Sequence, residues 1–294
     1  MALNIRLKLG DIVLGFDLER VEDFQLFKRL YHQFLTDDEP EVYLSVHSNG
    51  QLPDLSAWEM QFDSGSAWSL WKKGAQRAIR LRSPSLHPAE YEVAIFDDRF
   101  THGDFYLAQV SSGSAAFPLE NTLAQVLIVH LLAQGRGILL HAFALEDGGA
   151  GRLLAGVSGA GKTTMSGLWS AVPGVNMLSD DRVIVRRKNG RFWIYGTPWC
   201  GEGRVASPGS GPLEQVFVLR HASENQADQL DPALAMQQLL VRAFVTFWDA
   251  PGMAFSLSFL DDLCRSVPCY DLGFVPKHEV VDFVRSLEPP EMGY

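Results

Sequence analysis

Gly156-Val157-Ser158-Gly159-Ala160-Gly161-Lys162-Thr163-Thr164 gathers three glycines, a lysine and adjacent threonines into one short run. Its spacing, Gly, four residues, then Gly-Lys-Thr, is the Walker A pattern of a P-loop. The apolar Leu153-Leu154-Ala155 before it reads as the end of a buried strand. Behind it, Met165, Leu168, Trp169 and Val172 recur at helical spacing on one side. A glycine-rich turn from strand to helix points backbone N–H groups at an anion, and the helix dipole adds to their pull. The run predicts a nucleoside triphosphate site: residues 156 to 164 cradle phosphates, Lys162 neutralises the outer ones, and the Thr163 hydroxyl ligates Mg²⁺.

Asp180-Asp181, after one intervening helix, supplies the acid such a site needs. Mg²⁺ takes hard oxygen ligands, usually one or two carboxylates with phosphate oxygens and water. Adjacent residues on a strand point to opposite sides, so one Asp faces the metal and the other is free to act as a base on an acceptor hydroxyl. His141 interrupts the apolar run Ile138 to Leu145; a lone histidine on such a strand is more often a satisfied core residue than a catalyst. Glu202 lies in the glycine-rich stretch 196–203, where a loop acid serves either a turn or a site. Arg204, Arg220 and Arg242 are the candidate cations for a transferred phosphate.

The elements that must hold these residues form two regions. Residues 1 to 115 mix strand-like runs, such as Arg6 to Leu9 and Tyr43 to Val46, with a helix over 21–35. Trp58, Phe62, Trp68, Trp71 and Phe105 make this region aromatic, which suits core packing first and acceptor recognition second. Residues 116 to 294 begin with an apolar helix over 121–134, followed by the strand 138–145. Only a short turn, Glu146 to Gly151, separates that strand from the one entering the phosphate loop. The two therefore pair as neighbours, unlike the strands of a βαβ unit. The Asn189-Gly190 signal predicts a hairpin between Arg182–Arg187 and Phe192–Tyr195. Further strands are expected at 213–220 and 269–274, with helices over 232–248, 253–266 and 276–287. The fold class is α/β (α+β).

A formal charge of −10 argues against a general nucleic-acid surface, so phosphate must be met by a local basic pocket. No apolar run approaches a membrane span and no signal-peptide pattern opens the chain, so a cytoplasmic protein is expected. Three irregularly spaced cysteines, Cys200, Cys264 and Cys269, read as reduced structural thiols.

Three ordered motifs carry a resemblance. Leu140-His141-Ala142, the loop 156–163 and Leu178-Ser179-Asp180-Asp181-Arg182-Val183 resemble the core of the HPr kinase/phosphorylase family, over roughly residues 135 to 200. That family is similar in fold to the nucleotide-binding core of phosphoenolpyruvate carboxykinases. The resemblance implies a P-loop core of that kind with a separate N-terminal α+β region, and ATP with Mg²⁺ as donor and cofactor. It further implies that Asp180 takes the acceptor's proton while Thr163 and Asp181 hold the metal. His141 would tune the Asp pair, and Glu202 would support the metal's second side. The departures are Ala142 where the family has Gly, Lys-Thr-Thr where it has Lys-Ser-Glu, and no Glu-Ile-Arg-Gly-type signature near 196–203.

The expected activity is phosphorylation of a serine-type hydroxyl on a peptide or protein other than HPr. Neither nucleic acid nor membrane is an expected partner, and assembly into a homo-oligomer is compatible with this reading. Two alternatives stand beside it: a kinase of a small hydroxylated metabolite such as free serine, and a non-catalytic nucleotide-binding regulator. The pair of Asp residues with His141 weighs against the last, because holding a nucleotide needs no base.

Overall fold

A computed structural model describes residues 3–83, 89–108 and 122–287 of the chain. The chain divides into two compact units, Met1–Leu131 and Leu132–Tyr294. The boundary expected at 115/116 falls outside the described residues. Two mixed sheets and six α-helices make up the described residues, an α+β composition.

The first unit contains β1 (Leu3–Leu9), β2 (Ile12–Leu18), α1 (Val21–Leu30), β3 (Val42–Gly50), β4 (Glu59–Asp63), β5 (Trp68–Lys73), β6 (Gln76–Arg82), β7 (Glu90–Phe96) and β8 (His102–Ala108). Nearly all of α2 (Thr122–Ala133) also belongs to it. Its eight strands run in the order β1-β2-β3-β8-β7-β6-β5-β4, antiparallel except where β3 lies parallel to β2 and β8. The expected helix over 21–35 stops at Leu30, because Leu35 bridges to Leu7 and Thr36 donates to the Arg6 carbonyl. Sheet pairing there wins over helical propensity. Phe105 is fully buried, whereas Trp58, Phe62, Trp68 and Trp71 are only half-buried.

The second unit opens with the hairpin β9 (Ile138–Asp147) and β10 (Ala150–Ala155), paired antiparallel as the short turn requires. Then come α3 (Lys162–Ser170), β11 (Val175–Ser179), β12 (Arg182–Lys188), β13 (Arg191–Tyr195), β14 (Ser210–His221), β15 (Gln226–Gln229), α4 (Pro232–Leu240), β16 (Ala243–Phe244), α5 (Ala250–Ser266), β17 (Cys269–Phe274) and α6 (Glu279–Ser286). The Asn-Gly hairpin between β12 and β13 forms with Asn189 and Gly190 both at positive φ. β10 lies parallel to β14, and β14 parallel to β17.

β9 is the axis of this unit, and its alternation builds two cores. Leu140, Ala142 and Ala144 pack with Leu239 of α4 and Leu260 of α5. Phe143 and Leu145 pack on the other face with Met165 and Trp169 of α3 and Val280 of α6. Truncating a fully buried side chain of the Trp169 kind costs about 3–5 kcal/mol. The helix expected over 232–248 breaks at Leu240. Val241 caps α4 in helical conformation, and Ala243 and Phe244 then pair with Leu140 and Leu139 of β9. α5 starts at Ala250, ahead of the expected Met253, because the Asp249 carboxylate caps the Gly252 N–H and Pro251 fits the first turn. α6 starts at Glu279 rather than 276.

Candidate active site

The phosphate loop leaves the end of β10 and turns into α3 through Gly161, which caps the helix at φ 101°. A Cβ there would stand 2.5 Å from the Phe274 ring, so both backbone conformation and packing require glycine. His221 Nε2 meets the Gly159 carbonyl at 2.7 Å and braces the turn from β14. Lys162 folds back across the loop, donating from Nζ to the Gly156 carbonyl at 2.7 Å and the Val157 carbonyl at 3.3 Å. Thr163 and Thr164 begin α3 on its exposed side.

Along one edge of β9, β11 and β12 follow one another, and Asp180-Asp181 form the bend between them. The pair therefore does not lie within a strand, and the expected two-sided display is replaced by two different surroundings. Asp180 is only 8% exposed, and its Oδ1 accepts from the Gly201 N–H at 2.8 Å and the Val205 N–H at 3.3 Å. It thereby anchors the loop that follows β13. Asp181 is more open and turns its Oδ1 to His141 Nδ1 at 2.8 Å and to Arg182 Nη1 at 2.6 Å. Burial pushes the Asp181 carboxyl up, but the His141 hydrogen bond and the Arg182 charge outweigh it and hold it below the usual carboxylate value.

His141 Nδ1 also lies 3.1 Å from the Asp181 carbonyl and 3.0 Å from Arg182 Nη1. Two oxygens against one cationic donor favour a proton on Nδ1, which leaves Nε2 as the basic nitrogen. The Arg182 guanidinium in turn stacks on Phe244 at 4.5 Å.

Along the opposite edge of β9, β10 departs after Ala155 and β16 takes its place. The Arg242 carbonyl accepts the His141 N–H at 2.8 Å. Burial and the positive charge of Arg242 push Lys162 below the usual lysine range, against the pull of Asp181. Lys162, Asp181, His141, Arg182 and Arg242 thus share one neighbourhood. Arg182 was the component the motif contained without a role assigned to it; its place directly after the Asp pair was the available signal.

The remaining candidates lie differently. Arg220 is paired with Asp271 at 2.5 Å, and Arg204 is exposed on its loop at φ 55°. Glu202 is exposed on the same loop and makes no hydrogen bond or ion pair among the described residues. No cluster of three His, Cys, Asp or Glu side chains able to hold a metal occurs among those residues. Cys200, Cys264 and Cys269 are free thiols. No helix among the described residues is long and apolar enough to cross a membrane.

No family model matches the chain, and no curated protein matches it in sequence. Among solved structures it is similar to the HPr(Ser) kinase/phosphatase from Coxiella burnetii, at 13% identity and a TM-score of 0.28. That match covers 51% of this chain and 87% of the other. The likeness is distant, and the chemistry below rests on the site's own geometry.

Proposed function

We propose that this protein transfers the γ-phosphoryl group of ATP to a serine-type hydroxyl of a peptide or protein. The observation that carries the proposal is the convergence of a phosphate loop with the His141–Asp181–Arg182 cluster at the point where β10 leaves β9. Phosphoryl transfer asks chiefly for positioning and charge neutralisation. Lys162 and the loop amides hold the outer phosphates. Thr163 and Asp181 are the residues that would hold Mg²⁺, which when bound neutralises phosphate charge. Their oxygens are hard donors, and Mg²⁺ needs only one or two protein ligands beside phosphate and water, so the absence of a larger cluster among the described residues fits. With His141 and Arg182 on Oδ1 of Asp181, Oδ2 is the oxygen assigned to the metal.

In the transfer the acceptor oxygen forms a new bond to phosphorus, and the bond to the β,γ-bridging oxygen breaks. ADP leaves with that oxygen, and the acceptor's proton passes to Asp180. A second assignment of the base is favoured by one observation. Asp181 orients the His141 ring through Nδ1, as a carboxylate orients an imidazole in a catalytic dyad, so Nε2 is set to take the proton.

Calorimetry with Mg·ATP tests the nucleotide site. Wild type binds, and Lys162→Ala weakens binding about tenfold or more, since a charge-assisted phosphate contact is lost. Wild type failing to bind Mg·ATP refutes the proposal. Radiolabelled ATP offered with a serine peptide library and with free serine tests the acceptor. Label on the peptides is the expected result; label on free serine makes it a small-molecule kinase, and binding without transfer to either makes it a regulator.

A further inference from the structure

His221 is set over the phosphate loop by strand length and alternation. β10 ends at Ala155, opposite Val218 of the parallel strand β14, but β14 runs on through Leu219 and Arg220 to His221. Phe217 and Leu219 pack into the core with Met165 and Trp169 of α3, so His221, two residues further on, projects to that same face. Its register partner on β17 is Phe274, also of that core, and the two rings lie 5.9 Å apart. The His221 side chain is nonetheless exposed.

A carbonyl oxygen only accepts, so the 2.7 Å contact with Gly159 puts a proton on His221 Nε2. In a planar trans peptide the C=O and the following N–H point opposite ways. Here the Gly159 C=O turns out to His221, while the Ala160 N–H donates to the Val157 carbonyl at 3.1 Å. The peptide between Gly159 and Ala160 is thus held at both ends. Packing does not hold it. Gly159 has φ +79°, and a Cβ there would meet nothing within 4 Å, whereas Gly161 is locked by the Phe274 ring. Both signs of φ are open to a glycine, so this peptide, once unpinned, can flip and present its carbonyl to an anion in the loop.

We infer that His221 is a positioning residue of the phosphate site. By holding the Gly159 carbonyl out of the loop, it keeps the loop amides turned toward a triphosphate before the nucleotide arrives. The inference rests on the nucleotide-binding part of the proposal above and needs no assignment of acceptor or base. The group it serves is the phosphate chain, with the nucleoside left out. Lys162 also meets loop carbonyls, those of Gly156 and Val157, but leaves them when it turns to a phosphate. The His221 contact uses no group that a phosphate needs, so it persists with nucleotide bound.

The test is calorimetry on the full chain with Mg·ATP and, separately, magnesium tripolyphosphate, for wild type, His221→Ala, His221→Phe and His221→Gln. A neutral hydrogen bond that preorganises a site contributes about threefold to tenfold in affinity. His221→Ala and His221→Phe should each weaken both ligands by about that factor, because neither side chain has a donor. His221→Gln offers an amide N–H at a similar reach and should bind both within about twofold of wild type. Thermal melting identifies any variant that fails to fold; the phenylalanine and glutamine variants decide if the alanine variant does. Unchanged affinity for both ligands in folded His221→Phe overturns the inference, because the donor then does not matter. Loss in His221→Gln equal to that in His221→Phe overturns it too, since restoring the donor then rescues nothing. A loss confined to ATP, with tripolyphosphate unaffected, overturns it by moving the contact to the nucleoside. Wild type binding neither ligand removes the nucleotide site itself.

Discussion

Gly203 gives a clean way to perturb Asp180 without touching a charge. A Cβ on Gly203 would stand 2.7 Å from Asp180 Oδ2 and 3.3 Å from Ser166 Oγ, inside any normal contact. Its φ lies outside the left-handed region, so Gly203→Ala acts by sterics alone. The carboxylate is almost fully buried and the loop is held to it through the Gly201 and Val205 amides. A hydrogen bond to a charged acceptor is worth about 1.5–3 kcal/mol net, and the 3.3 Å contact less than the 2.8 Å one. Prising the loop away should then cost about 2–4 kcal/mol of local stability, a factor of roughly 30 to 700 in the opening equilibrium. Native-state hydrogen exchange at Gly201 and Val205 reads that factor directly, with amides of β12 as the internal standard. Gly201→Ala is the graded companion: its Cβ would sit 3.2 Å from the same oxygen, which a shift of a few tenths of an ångström relieves, so a smaller loss is expected. Mg·ATP affinity should hold in both variants, because neither glycine belongs to the phosphate loop. Wild-type protection of both amides in Gly203→Ala would refute the anchoring role given to Asp180.

The two candidate bases separate kinetically. If Asp180 takes the proton, Asp180→Asn lowers single-turnover transfer about 10²–10⁴-fold while His141→Gln costs less; the reverse order assigns the proton to His141 Nε2. In the first unit, His47 lies between Glu19 at 2.9 Å and Asp104 at 2.8 Å and stacks on Tyr106. Burial lowers its pKa, but the two carboxylate hydrogen bonds outweigh burial and leave it raised above 6.5. A raised folded-state value means the stabilisation is complete below about pH 6.5 and is lost as pH climbs through the folded value. The melting-temperature gap between wild type and His47→Gln should therefore be widest near pH 6 and close toward pH 9; a gap independent of pH would contradict it.

How much of this was legible beforehand depended on whether a signal was local. The turn from β10 into α3 was legible because glycine at 161 answers a local demand, a left-handed turn into a helix. The β9–β10 hairpin followed from its short turn and the β12–β13 hairpin from the Asn189-Gly190 signal, again local matters. The helix expected over 232–248 failed for the opposite reason. Leu240 to Trp248 carries enough apolar residues to look helical, yet its fate is settled by β9, more than ninety residues earlier in the chain. The same long-range pairing selects among the arginines. In sequence, Arg204, Arg220 and Arg242 are equivalent; only the register against His141, and the Asp271 partner on Arg220, tell them apart. Asp180 and Asp181 likewise differ through a loop some twenty residues later that takes one carboxylate and leaves the other to His141.

The charge arrangement at the site is at odds with the protein as a whole. The chain is formally −10, yet beside the phosphate loop Lys162, Arg182 and Arg242 gather near Asp181, whose carboxylate pairs with Arg182. Burial disfavours the charged form of all three cations, and the mutual repulsion of Lys162 and Arg242 adds to the strain on the lysine. A fold selected for stability alone would replace such residues or match them with acids, because unmatched buried charge is destabilising. On the kinase reading, a polyanion small enough to reach the end of β10 and charged enough to meet three cations at once would relieve the arrangement. A triphosphate held at the α3 N-terminus would have that size and charge.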